Sequence, residues 1–304
     1  MNGSPRLQHA SRDRLNSVSQ QFKNILKECT LCPRMCRVNR LTGRYGYCKS
    51  GRRARIASYT LHHGEEPPLS GHNGSGTVFF SGCTLHCVFC QNYPISHFRN
   101  GEEFDSEQLA DAFMNLAHRG AHNINLVTPT HFLPMIIEAL LMAREQGLSI
   151  PIVYNSGGFE RIEILNLLSD IVDIYMPDAK YATRFAAEKY SDAVEYPTVN
   201  RTALVTMYNQ AGNLVCSSRG IAVKGLIIRH LVMPGNSAET DGVLRFIKES
   251  ISPQTYISLM AQYHPAHRAY EYPELSRTLT HAEYERACKR ADQYGLHNGW
   301  RQVY

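Results

Sequence analysis

No stretch of the 304 residues approaches the roughly eighteen consecutive apolar residues that a membrane-crossing helix needs. The opening segment, Met1 to Arg14, lacks the apolar central run of a secretory leader. Internal repeats and low-complexity tracts are missing too, which excludes solenoids and disordered arrays. Neither charge sign dominates: 32 Lys and Arg against 27 Asp and Glu leave a net +5. The basic run Arg52-Arg53-Ala54-Arg55 reads as a solvated face, so neither nucleic acid nor a membrane is expected as a partner. After Cys90 only Cys216 and Cys288 remain of nine cysteines. A secreted framework would distribute its bridges, so these cysteines point to a reducing cytoplasm. Cys216 and Cys288 have no metal-spaced partner and read as small buried hydrophobes.

With 43% apolar residues the chain can bury a large core. From Thr77 on, strand-like and helix-like segments alternate, the pattern of a parallel α/β fold. Strands are expected after Thr77, at Ile124–Val127, Pro151–Tyr154, Ile171–Met176, Gly225–Val232 and Tyr256–Met260. Asp105 with Gln108 three residues on forms a capping box that opens a helix ending at Gly120. Further helices are expected from Pro134 to Gly147 and over Ile162–Leu168, Ala182–Ser191, Val199–Gln210, Ala238–Glu249 and Thr280–Tyr294. Six such units with right-handed crossovers close into a partial (β/α)6 parallel barrel. The expected division is a helix and Cys-rich extension at 1–74, then the barrel with a C-terminal helix at 75–304.

Seven cysteines lie between Cys29 and Cys90, in two sets. Cys83-x3-Cys87-x2-Cys90 puts three thiolates in one loop directly after a strand, with no obvious fourth. Three soft ligands suit an iron–sulfur cube with one iron left open, where a substrate or cofactor can bind. A zinc loop borrowing a distant ligand is the competing reading. The earlier set, Cys29-x2-Cys32-x3-Cys36-x11-Cys48, offers four thiolates for a closed site: a second cube or a zinc ion, structural or relaying electrons. The neighbouring His62-His63-Gly64-Glu65-Glu66 could supply ligands or cap the cavity, with a plain surface loop as the leading reading.

The three-cysteine spacing, with Phe89 just before the last cysteine, resembles the radical S-adenosylmethionine superfamily. The match narrows to the pyruvate formate-lyase activating enzyme-like branch, in relatives carrying an extra N-terminal cysteine set. It rests on Ser75–Ser96, Gly120–His131, Val172–Tyr181 and Arg229–Gly235. The resemblance implies a [4Fe-4S] cluster on Cys83, Cys87 and Cys90, with S-adenosylmethionine chelating the open iron. One-electron cleavage would then give methionine and a 5′-deoxyadenosyl radical. It also implies contacts to S-adenosylmethionine and a monovalent cation from Asn155, Ser156, Asp178 and Lys180, with Lys180 in the catalytic set, and cofactor contacts from Arg229 and His264. The family's Gly-Gly-Glu after the second strand is replaced here by Thr128-Pro129-Thr130-His131. Thr128 and Thr130 are therefore expected to take over the cofactor's ammonium group. The implied reaction is hydrogen abstraction from a glycine of a partner glycyl-radical enzyme, with a flavodoxin- or ferredoxin-type electron donor. Radical modification of a small molecule, peptide or RNA is the alternative, and a non-catalytic metal-binding nucleic-acid scaffold is a more distant one.

Overall fold

The computed structural model describes residues 4–302. Ten strands form its sheet framework: β1 (Ala54–His62), β2 (Ser75–Phe80), β3 (Glu102–Phe104), β4 (Ile124–Val127), β5 (Ile152–Ser156), β6 (Ile174–Pro177), β7 (Val215–Cys216), β8 (Ala222–Leu231), β9 (Tyr256–Met260) and β10 (Gly299–Arg301). The order across the sheet is β10-β9-β8-β6-β5-β4-β2-β1-β3, with β7 on the side of β8. β2, β4, β5, β6, β8 and β9 run parallel to one another, and β10 joins them parallel to β9. Helices connect them on the outside, as crossovers in a parallel sheet require. This is the expected partial barrel.

The helices form where their apolar residues recur on one face. Ser106–His118 buries Leu109, Ala112, Phe113 and Leu116, and the Asp105–Gln108 capping box closes in both directions. Leu133–Glu145 begins with Pro134 in its first turn and buries Ile136, Ala139, Leu140 and Ala143. The N-terminal helix Arg12–Ile25 lays Leu15, Val18 and Phe22 into the same core. Each fully buried large side chain contributes about 1.5–3 kcal/mol. Among the described residues no helix is long and apolar enough to cross a membrane.

The sequence pattern gave no sign of β1, β3 or β10. β1 pairs antiparallel with β2, so the sheet continues across the boundary expected at 74/75. Its inward residues, Ala54 and Ile56, are followed by a register irregularity near Ser58, which breaks the two-residue alternation. Arg53 and Arg55 of the basic run pair with Glu103 and Asp105. Cys288 packs partly buried against the core. Cys216 corrects the expectation of burial: β7 is a two-residue edge strand and its cysteine is exposed.

Candidate functional site

The carboxyl ends of β2, β4, β5 and β6 converge on a cavity of about 140 Å³. Cys83, Cys87 and Cys90 line it, together with Thr128, Asn155, Ser156, Asp178, Lys180 and Arg229. A second cavity of about 190 Å³ shares Cys87, Cys90, Asp178, Lys180 and Arg229, then extends to Phe89, Gln91 and Gln262. The two therefore adjoin, with the cysteine loop on one side and a charged cluster on the other.

Each sulfur of the loop has a polar neighbour. The Leu85 N–H donates to Cys83 Sγ at 3.3 Å, and the Ser191 hydroxyl donates to Cys87 Sγ at 2.9 Å. Cys90 Sγ lies 3.1 Å from the Ser96 hydroxyl. Burial pushes the Cys83 and Cys90 thiols up, and Lys180 pulls against it. A cationic metal cluster would offset that burial cost. Three thiols around one cavity, each with an outer partner, fit an iron–sulfur cube short of one ligand. Phe89 is buried behind the loop, edge-on to Tyr181 at 6.4 Å.

Opposite the loop, Arg229 of β8 donates from Nε to Asp178 Oδ1 at 3.0 Å and from a terminal nitrogen to Asn155 Oδ1 at 2.8 Å. Lys180 donates to Asp178 Oδ2 at 2.6 Å. Burial pushes the Asp178 carboxyl up, but Lys180 and Arg229 outweigh it and hold it below the ordinary carboxylate range. Lys180 is likewise held protonated: burial opposes its charge and Asp178 more than restores it. Asp178 is thus already neutralised by two side-chain cations, on the residue expected to hold a monovalent cation. Gly158 has φ +71°, and a Cβ there would collide with the Asp178 carbonyl and the Asn200 amide. Only glycine allows β5 and β6 to approach this closely beyond their ends.

The loop after β4 divides its expected roles. Thr128 faces the cavity, with φ +57°. Thr130 does not: it is buried, donates to Glu160 Oε1 at 2.8 Å and lies 3.0 Å from the Tyr154 hydroxyl. Its hydroxyl is committed to a core network and does not line the cavity. His264 lies outside both cavity walls, exposed, with Nδ1 3.2 Å from the Gln91 amide.

Two acidic residues read mainly as surface lie near the site. Glu65 and Glu66 do not form a surface loop; Glu66 is 2% exposed, and Glu65 lies 3.9 Å from Arg229. Burial pushes Glu65 up to about 7 against the pull of Arg229. No local signal marks them, since charged residues are buried only with a partner, and this partner comes from β8.

The four earlier cysteines gather in one irregular segment. Cys48, Cys29 and Cys36 each push the Cys32 thiol up, after the dominant effect of burial. Met35 and Arg37, flanking Cys36, and Lys49, after Cys48, all have positive φ. Among the described residues no three His, Cys, Asp or Glu side chains are drawn tightly enough around one point to hold a single metal ion.

Comparison with known proteins agrees with this geometry. The family model described as Radical SAM superfamily matches residues 77–247, more than half the chain. An uncharacterised protein of Methanocaldococcus jannaschii is 31% identical over 300 residues, covering 95% of this chain and 82% of the relative. A second uncharacterised protein of that organism is 22% identical over 265 residues, covering 81% and 73%. The solved structure of native anSMEcpe with bound AdoMet and Kp18Cys peptide superposes with a TM-score of 0.50 at 11% identity. That alignment covers 70% of this chain and 57% of the solved one, so the chain spans less than two thirds of that structure's length; the likeness is one of fold. By the family match and the relative at 31% identity, the chain belongs to the radical SAM superfamily.

Proposed function

We propose that the protein holds a [4Fe-4S] cluster on Cys83, Cys87 and Cys90 and uses it to cleave S-adenosylmethionine reductively. The observation that carries this reading is the shared cavity: three thiols on one wall, and Asn155, Ser156, Asp178, Lys180 and Arg229 on the other. When bound, the cluster and S-adenosylmethionine together supply a 5′-deoxyadenosyl radical by one-electron cleavage of the sulfonium.

The chain's own residues bind and orient. Arg229 presents a planar fork and Lys180 a point charge, both suited to the cofactor carboxylate. Asp178 keeps these two cations together while the site is formed, and Asn155 fixes the angle of the Arg229 fork. Thr128 places a hydroxyl and a turned backbone toward the cavity, where the ammonium or ribose can be met. Phe89 and Leu85 line the apolar part of the walls, which limits water near a reactive radical.

The radical's acceptor is a glycine of a partner glycyl-radical enzyme, and the electron comes from a flavodoxin- or ferredoxin-type donor. Resemblance to the activating-enzyme branch supports this finer assignment. Anaerobic incubation of reconstituted, dithionite-reduced protein with S-adenosylmethionine tests the first step. Release of 5′-deoxyadenosine and methionine is expected; absence of both from fully loaded protein contradicts the reading. A glycyl-radical doublet on a co-incubated partner in electron-resonance spectra tests the second.

A further inference from the structure

The two cysteine sets touch. Tyr47, beside Cys48, donates its backbone N–H to Cys36 Sγ at 3.3 Å. Its ring stacks on His86, which lies between Cys83 and Cys87, with centroids 4.1 Å apart and planes at 25°. Arg34, between Cys32 and Cys36, lies 3.8 Å from the Tyr47 ring and donates to the Thr84 carbonyl at 3.1 Å. Gly82, just before Cys83, approaches so closely that a Cβ there would lie 3.0 Å from the Cys48 carbonyl.

From this junction we propose that the Cys29, Cys32, Cys36 and Cys48 set holds a second [4Fe-4S] cluster, and that the Tyr47–His86 stack carries electrons from it to the Cys83 set. The inference rests on the function proposed above. Four thiolates leave that cluster no open iron, so it relays rather than binds substrate. Four thiols gathered in one irregular segment suit the corners of a cube. A redox-inert ion would also leave the ring contact between the sets without a role. One electron enters at the outer set from a one-electron donor such as a reduced flavodoxin and leaves at the inner set; the relay makes and breaks no bond.

The test uses the anaerobically reconstituted full chain, with Tyr47→Leu and His86→Leu breaking the stack from opposite sides and Tyr47→Phe preserving it. About eight irons per chain and no zinc are expected in the parent and all three variants. Reduction of the Cys83-set cluster by flavodoxin hydroquinone, followed by stopped flow, is expected to slow about tenfold or more in both leucine variants and to stay within about twofold in Tyr47→Phe. Zinc at the outer set, a total of about four irons, or parental reduction rates in both leucine variants each overturn the proposal. Cleavage of S-adenosylmethionine driven by dithionite does not need the relay, so its loss in the parent would speak against the function itself and not against the relay.

Discussion

Thr130 donates its hydroxyl to Glu160 across 2.8 Å, thirty positions along the chain, with both side chains buried and neither lining the cysteine cavity. The contact takes a residue expected at the cofactor and ties it to the wall between β4 and β5. Thr130→Ala therefore lowers stability by about 1–2 kcal/mol, because Glu160 loses a donor while staying buried. Affinity for S-adenosylmethionine stays within about twofold of the parent, because the lost hydroxyl does not reach the cavity. Thermal unfolding and equilibrium binding, measured side by side, check it. A tenfold loss of affinity at unchanged stability would return Thr130 to the cofactor.

Glu160 also sets a pH dependence. Burial pushes its carboxyl from 4.5 up to about 7, although Thr130 and Tyr154 donate to it. Between those values the folded chain holds a proton that the unfolded chain has released, so stability falls as pH rises through the window. The ceiling is on the order of 3 kcal/mol. Glu65, pushed up to about 7, adds in the same direction. Glu160→Gln removes one of the two contributions. The difference in melting temperature between about pH 5 and pH 8 should shrink in this variant. An unchanged difference would show that Glu160 ionises normally in the fold.

Arg229→Lys keeps the charge but loses the fork that joins Asp178 and Asn155. Binding of S-adenosylmethionine should weaken about tenfold or more, and the melting temperature should fall as well because Asn155 loses its donor. Isothermal titration on cluster-loaded protein reads the effect. Parental affinity would remove the guanidinium fork from the cofactor site.

Gly46 lies against the outer cysteine set: a Cβ there would sit 2.8 Å from both Cβ and Sγ of Cys36. Gly46→Ala should lower the iron bound by that set and leave the Cys83 set loaded, giving about four irons per chain instead of eight. Iron and sulfide analysis checks it. Retention of the full parental iron content would mean that the set does not depend on this close approach.

The sequence showed most of the frame and about half of the site. Ile124–Val127 and Tyr256–Met260 agree with β4 and β9 residue for residue, because both are short apolar runs bounded by turns. The cysteine loop was legible from its spacing; Asn155, Ser156, Asp178, Lys180 and Arg229 were legible from the family resemblance, and the barrel rule places such strand-end residues together. Thr130 shows the limit of that rule: position after a strand does not tell which way a side chain turns, and its partner Glu160 belongs to the next loop. Glu65 and Glu66 read mainly as a surface loop for a related reason, as the partner of Glu65 is Arg229, more than 160 residues away in sequence. The Tyr47–His86 stack was invisible because nothing local marks two rings from different cysteine sets as neighbours.

Mössbauer spectroscopy on protein enriched in the iron isotope it detects, with and without S-adenosylmethionine, tests the central claim most directly. The account predicts that one iron of the cluster on Cys83, Cys87 and Cys90 is distinct from its neighbours and shifts when S-adenosylmethionine is added. Irons that are all equivalent and unmoved by the cofactor would contradict it.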